Sequence, residues 1–127
     1  HMKKQEGVWF TTGEELAAIC KHNAWSASTR DHGILQISGV AYTYKDRGSG
    51  QVEIVSVTVA GKPLDPAKRY SCAGLDFLAF DQPDKYFGMV PQDRERLNLA
   101  SQDILIDAVR RGARISSRLE HRIRRVN

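Results

Sequence analysis

Two β-rich runs, Val40–Lys45 and Val52–Ala60, flank a turn at Asp46–Gly50 that is rich in glycine and charge. The second run alternates Val52, Ile54, Ser56 and Thr58 against Glu53, Val55, Val57 and Val59, which makes one face strongly apolar, as in a half-buried strand. A tight turn at Ala60–Lys62 precedes Pro63-Leu64, so antiparallel pairing is the simplest topology. The chain is thereby committed to a sheet. Gly7–Thr11, Ile34–Ile37 and Arg69–Ala73 supply further short strands.

Helix signals are interleaved with these strands. Thr12 and Glu15 have capping-box spacing, ahead of an apolar stripe of Leu16, Ile19 and Cys20. His22–Gly33 is polar and shows no periodicity. Asp65-Pro66 opens a short helical turn, since proline suits a first turn and aspartate caps it. Phe80–Asn98, with prolines and many charges, reads as a long loop with a helical turn near Asp93–Leu97. Ser101 is expected to cap a helix striped by Ile104, Leu105, Ala108 and Val109, with Asp103 near its positive end and Arg110 and Arg111 near its negative end before Gly112. The spacing of Ile115, Leu119, Ile123 and Val126 suits one more helix. The expected fold class is α+β, one domain with a mixed, largely antiparallel sheet covered by at least two helices.

His1-Met2 reads as an expression scar, leaving residues 3–127 as that domain. At 127 residues, with no long uncharged stretch, the chain has ordinary domain size and no membrane span. Its net charge of +4 is unevenly spread, because seven arginines against one acid, Glu120, lie from Arg110 onward and the remainder is net negative. A basic strip suits phosphate or an acidic partner. No aromatic side chain is interleaved to stack bases, so nucleic acid is an unlikely partner. Cys20 and Cys72 lack metal-ligand spacing and are expected as buried free thiols.

A two-metal phosphoesterase centre needs several histidines and carboxylates around both ions. Outside the scar the histidines are His22, His32 and His121, far apart in sequence and without a repeated ligand spacing. No Gly-rich phosphate loop, nucleophile elbow or zincin helix occurs. The Asp31-His32 pair lacks a nucleophile and reads as solvated loop. No metal or other cofactor is expected to be held by this chain.

Several motifs occur in one characteristic order: TTGEELAAI, ILQISGVAYTY, GKPLDPAKRY, DFLA, DILIDAVRR and LEHRI. Together, from about Trp9 to Ile123, they resemble the C-terminal, substrate-recognising domain of the 5'-nucleotidase, UDP-sugar hydrolase and cyclic phosphodiesterase family. The resemblance favours a terminal strand over a helix near Ile123. It also implies divalent metals only in a companion metallophosphoesterase domain, joined in cis or acting in trans, and a secreted or periplasmic location.

Departures from the family pattern bear on the site. Leu75 replaces the signature's asparagine, and a glycine-rich loop becomes Phe80-Asp81-Gln82-Pro83-Asp84-Lys85-Tyr86. Glycine lets backbone approach a ligand closely, so the loop's geometry is expected to change. The resemblance makes Phe77 one wall of an aromatic clamp on a nucleobase, with plain packing as its competing role, and places Asp84 near a sugar- or base-contacting aspartate; Phe80, Tyr86 and Phe87 of the altered loop either rebuild an aromatic wall or anchor that loop on the sheet. The family's segment upstream of the threonine-glycine helix start is expected to be missing here or replaced by His1–Glu6. An uncovered apolar face or strand edge is therefore expected to drive self-association. The expected function is nucleotide or nucleoside recognition for such a hydrolase, without catalysis by this chain alone. The alternatives are an assembly module that has lost ligand binding and an adaptor using its arginine tail.

Overall fold

The computed structural model describes residues 5–29, 35, 38–112, 114 and 120–127. In chain order its elements are β1 (Gln5–Thr12), α1 (Gly13–Thr29), β2 (Val40–Gly48), β3 (Gln51–Val59), β4 (Lys62–Pro63), β5 (Arg69–Leu75), a π-helical turn (Phe77–Asp81), α2 (Pro83–Phe87), β6 (Asp93–Ala100), α3 (Ser101–Arg110) and β7 (Ile123–Arg125). The α+β class stands, but the strands divide between two sheets instead of one. One sheet has the order β5-β1-β6 and the other β4-β3-β2-β7. Every pairing is antiparallel except β2 with β7. The expected strand at Ile34–Ile37 and the ambiguity at Ile115 and Leu119 fall largely outside the described residues.

The β2–β3 hairpin closes through Ser49-Gly50 and the β3–β4 turn through Ala60-Gly61, and all four residues have positive φ. Two-residue loops of that handedness match the right-handed twist of paired strands. The strict alternation expected of β3 fails at one residue. Thr43 pairs with Ser56 and Tyr44 with Ile54, which leaves Val55 as a β-bulge. Val52 and Ile54 pack into the core before the bulge, and Val57 and Val59 after it. The inward-facing set thus changes parity, and Val55 is left 50% exposed.

Helix α1 is the shared core element. Leu16, Cys20 and Ala24 pack with Val40, Tyr42 and Val52 of the four-stranded sheet, while Ile19 packs with Trp9 of β1, Ala79 and Phe87. Its start follows the expected capping box: the Thr12 amide donates to Glu15 Oε1 (2.9 Å) and the Glu15 amide to Thr12 Oγ1 (3.2 Å). The Gly13 amide also donates to the Lys68 carbonyl (2.8 Å) and the Glu14 amide to the Pro66 carbonyl (3.1 Å). A Cβ on Gly13 would stand 1.9 Å from the Asp65 carbonyl oxygen. The threonine-glycine and aspartate-proline motifs are therefore two halves of one contact, and glycine permits it.

Three expectations along the chain are corrected. α1 runs to Thr29, through two thirds of the stretch that shows no periodicity, because its polar residues have partners. Asn23, fully buried, donates to the Tyr42 hydroxyl (2.8 Å) and the Leu35 carbonyl (3.1 Å) and accepts from the Leu35 amide (2.8 Å). Ser28 donates to Asp46 Oδ2 (2.7 Å). The long loop expected at 80–98 instead holds α2 and most of β6, and Asp93–Leu97 is strand because β1 offers it a ladder from Phe10 to Gln5. Ser101 is the first residue of α3, not its cap; Ala100 takes that position without a side-chain bond.

At the C-terminus, β7 runs beside β2, and Asn127 continues the pairing by donating to the Asp46 carbonyl (2.8 Å) while its Oδ1 accepts from the Asp46 amide (3.0 Å). Among the tail arginines, Arg111 pairs with Asp107 and Arg122 with Glu120. No helix among the described residues is long and apolar enough to cross a membrane.

Candidate functional site

On α1, Ala18, Lys21, His22 and Trp25 follow one another at i, i+3, i+4 and i+7 and therefore share one face. Together with Gly50–Val52 of the hairpin and Phe87–Met89 after α2 they line a cleft of about 550 Å³. That is the size of a small-molecule site. Trp25 and Met89 give it apolar walls, Phe87 closes it from the core side by stacking at 5.2 Å on Trp9, and Lys21 and Gln51 are exposed polar groups at its rim.

Two glycines let backbone form part of the wall. Gly50 has φ +76, and a Cβ there would meet Thr29 Cγ2 at 3.4 Å and Trp25 Nε1 at 3.6 Å. Gly88 has φ +73 and ends α2 in the left-handed conformation, its amide donating to the Asp84 carbonyl (3.1 Å). A Cβ on Gly88 would lie 2.8 Å from His22 Nδ1. His22 donates from Nε2 to the Lys85 carbonyl (2.7 Å), which fixes its tautomer and ties α1 to α2. Its ring also stacks at 5.2 Å on Trp25. The imidazole is thus a positioned part of the wall.

The site residues expected from the sequence form a separate cluster around the π turn and α2. Phe77 meets Tyr86 edge-on, with ring centroids 5.8 Å apart. Phe80 is covered by the guanidinium groups of Arg94 (4.9 Å) and Arg96 (4.3 Å). Arg94 also donates to the Ala79 carbonyl (2.5 Å), and Arg96 pairs with Asp76 and Asp81. Asp84 is exposed in the first turn of α2, behind Pro83. None of Phe77, Phe80, Asp84 or Tyr86 lines the cleft; Phe87 alone of the expected aromatic set does. The cleft was missed because its helical face lies mostly beyond Cys20, where the polar run hides the period.

The two thiols are free. Burial, with a smaller contribution from nearby Cys72, pushes Cys20 up to about 12, and burial also raises Cys72. Neither has the low pKa of a reactive thiol. Burial likewise raises the Tyr42 hydroxyl. Among the described residues no group of three or more His, Cys, Asp or Glu side chains is placed to hold a metal ion.

Residues 7–89, which include every residue lining the cleft, match the family model of the 5'-nucleotidase C-terminal domain. The chain belongs to that family. Among solved structures it is similar to a 5'-nucleotidase precursor from Thermus thermophilus, with a TM-score of 0.77 at 22% identity over 98% of this chain and 26% of that one. It is also similar to the sulfate thiohydrolase SoxB of Thermus thermophilus, with a TM-score of 0.64 at 17% identity over 98% of this chain and 23% of that one. The chain thus spans about a quarter of the length of these proteins, and at such identities the likeness concerns the fold. No curated protein matches it in sequence.

Proposed function

We propose that the chain is the substrate-recognition part of a 5'-nucleotidase-type phosphoester hydrolase and holds a nucleoside or nucleotide in the α1 cleft. The observation that carries this reading is the coincidence of the family match with a cleft of about 550 Å³ whose lining lies wholly inside it. A planar base is received by the Trp25 face and Met89, and Lys21 and Gln51 meet its polar substituents. Hydrolysis, with its divalent metals, belongs to a companion metallophosphoesterase domain in the same chain or another. Binding of the remote nucleoside then orients the reacting phosphate. A secreted or periplasmic location goes with this reading.

Titration with adenosine, uridine and their monophosphates, followed by amide and indole NMR shifts, tests both binding and place. Shifts confined to Trp25, Gly50 and Gly88 support the cleft. Shifts confined to Phe77, Phe80, Asp84 and Tyr86 move the ligand to the aromatic cluster. A flat titration to millimolar ligand leaves the assembly-module reading, which is favoured by the altered loop and by the exposed stripe of α3. Release of phosphate from nucleotides by this chain alone with manganese or zinc would overturn the division of labour.

A further inference from the structure

The polar side chains available to a ligand in the α1 cleft are mainly donors. Lys21 is exposed and has no ion-pair partner among the described residues, and an ammonium group only donates. Trp25 is the second donor. Its Nε1 lies 3.6 Å from where a Cβ on Gly50 would stand, and among the described residues no acceptor meets it. An indole N–H likewise donates and never accepts. Lys21 and Trp25 are one helical turn apart on α1, so the two donors are neighbours on one face. Gln51, exposed on the hairpin side, has a carboxamide that both donates and accepts. His22 belongs to the wall, held by the Lys85 carbonyl, the Trp25 ring and the close approach of Gly88. Among the described residues no Asp or Glu side chain lines the cleft.

We infer that the cleft selects nucleosides whose base carries a ring carbonyl in place of an exocyclic amino group. This rests on the reading that the cleft holds a nucleoside and adds which bases it prefers. A carbonyl oxygen accepts from Lys21 or from Trp25 Nε1, and the ring N–H that accompanies it in a 4-oxopyrimidine or 6-oxopurine meets the carbonyl end of Gln51. An amino group at the same position turns its hydrogens toward the two donors. The ring nitrogen beside it then accepts from one donor and leaves the other unpaired. Such a loss is costly for a group shielded from water, and Trp25 is half-buried whereas Lys21 is exposed. The selection is therefore set foremost by Trp25.

Calorimetric titration of the full chain with two matched pairs, uridine against cytidine and inosine against adenosine, tests this. Nucleosides are used so that no phosphate competes for Lys21. The oxo member is expected to bind about tenfold more tightly in both pairs. Trp25→Phe keeps an aromatic ring but removes the N–H, and should reduce that ratio to about threefold or less. Lys21→Met, at an exposed position where folding is not at stake, should reduce it to a smaller extent. Equal affinities within the pairs, or tighter binding of cytidine and adenosine, overturn the inference and leave the nucleoside reading intact. So does a preference that survives both substitutions, because its origin would then lie outside the cleft. Absence of binding by all four nucleosides removes the nucleoside reading and this inference with it.

Discussion

Helices α1 and α3 invert the usual relation between pattern and burial. α3 has the cleaner amphipathic stripe, yet its apolar residues face solvent. α1 has a blurred stripe broken by Asn23, Ser26 and Ser28, yet Cys20, Asn23, Ala24 and Ser26 are completely or almost completely buried. The difference lies in the surroundings. α1 has a sheet's apolar residues on two sides, and Asn23 and Ser28 find hydrogen-bond partners there. Among the described residues, the element against which α3 mainly packs is β6, the strand that leads into it. A hydrophobic stripe states what a helix can bury; the number of neighbouring layers decides how much it does bury.

The contrast is most directly broken by truncation. Ile19→Ala should destabilise the fold by about 2–5 kcal/mol, whereas Leu105→Ala in dilute solution should change stability by no more than about 0.5 kcal/mol. Urea unfolding of both variants checks this, and comparable losses would show that α3 is a core element after all. Next in size is Gly13→Ala, expected to cost about 1–3 kcal/mol because the new methyl group meets the Asp65–Pro66 backbone. A neutral result in thermal melts would mean that this turn is free to move away from α1.

Smaller effects sharpen the same comparison through titration. Cys20 is raised to about 12 and Tyr42 is raised as well, so the folded state favours their neutral forms. Stability from this source is intact below pH about 9 and falls as pH rises toward 12. Alkaline unfolding should accordingly expose Cys20 to a thiol reagent that, at neutral pH, modifies half-buried Cys72 first. Reaction of native Cys20 at or above the rate of Cys72 would contradict the packing around α1. Asp46 runs the other way: the Gly48 amide, then the Ser28 hydroxyl, lower its pKa, so its stabilisation is present above the ordinary carboxylate range and is lost as pH falls through it. Asp46→Asn should lower the melting temperature slightly at pH 7, and the difference should vanish in strong acid. A difference that persists there would assign the effect to shape and not to charge.

Much of the fold was legible because it is written in local chemistry. The capping box at Thr12 and Glu15, the hairpin around Ser49-Gly50, the aspartate turn at Asp65 and the stripe of α3 each depend on residues close in sequence. β6 was not legible, since DRERLNLA lacks a strand's usual apolar alternation and is extended because β1 pairs with it and because Arg94 and Arg96 lie over Phe80. Val55 looked like one of an inward-facing set until the bulge turned it out. For the site, the aromatic residues of 77–87 were visible as types, but their grouping into a Phe77–Tyr86 pair, an arginine-covered Phe80 and a cleft-lining Phe87 depends on distant elements.

By itself the sequence determined the α+β class, the hairpins, the start of α1 and the family, because turn geometry, capping and motif order act over a few residues. Only the tertiary structure decided that the strands form two sheets, that a polar run completes the central helix, and that Lys21, His22 and Trp25 meet Gly50 and Gly88 around one cleft. These outcomes turn on which surfaces remain to be covered once the local elements exist, and burial of that kind is a property of the assembled layers.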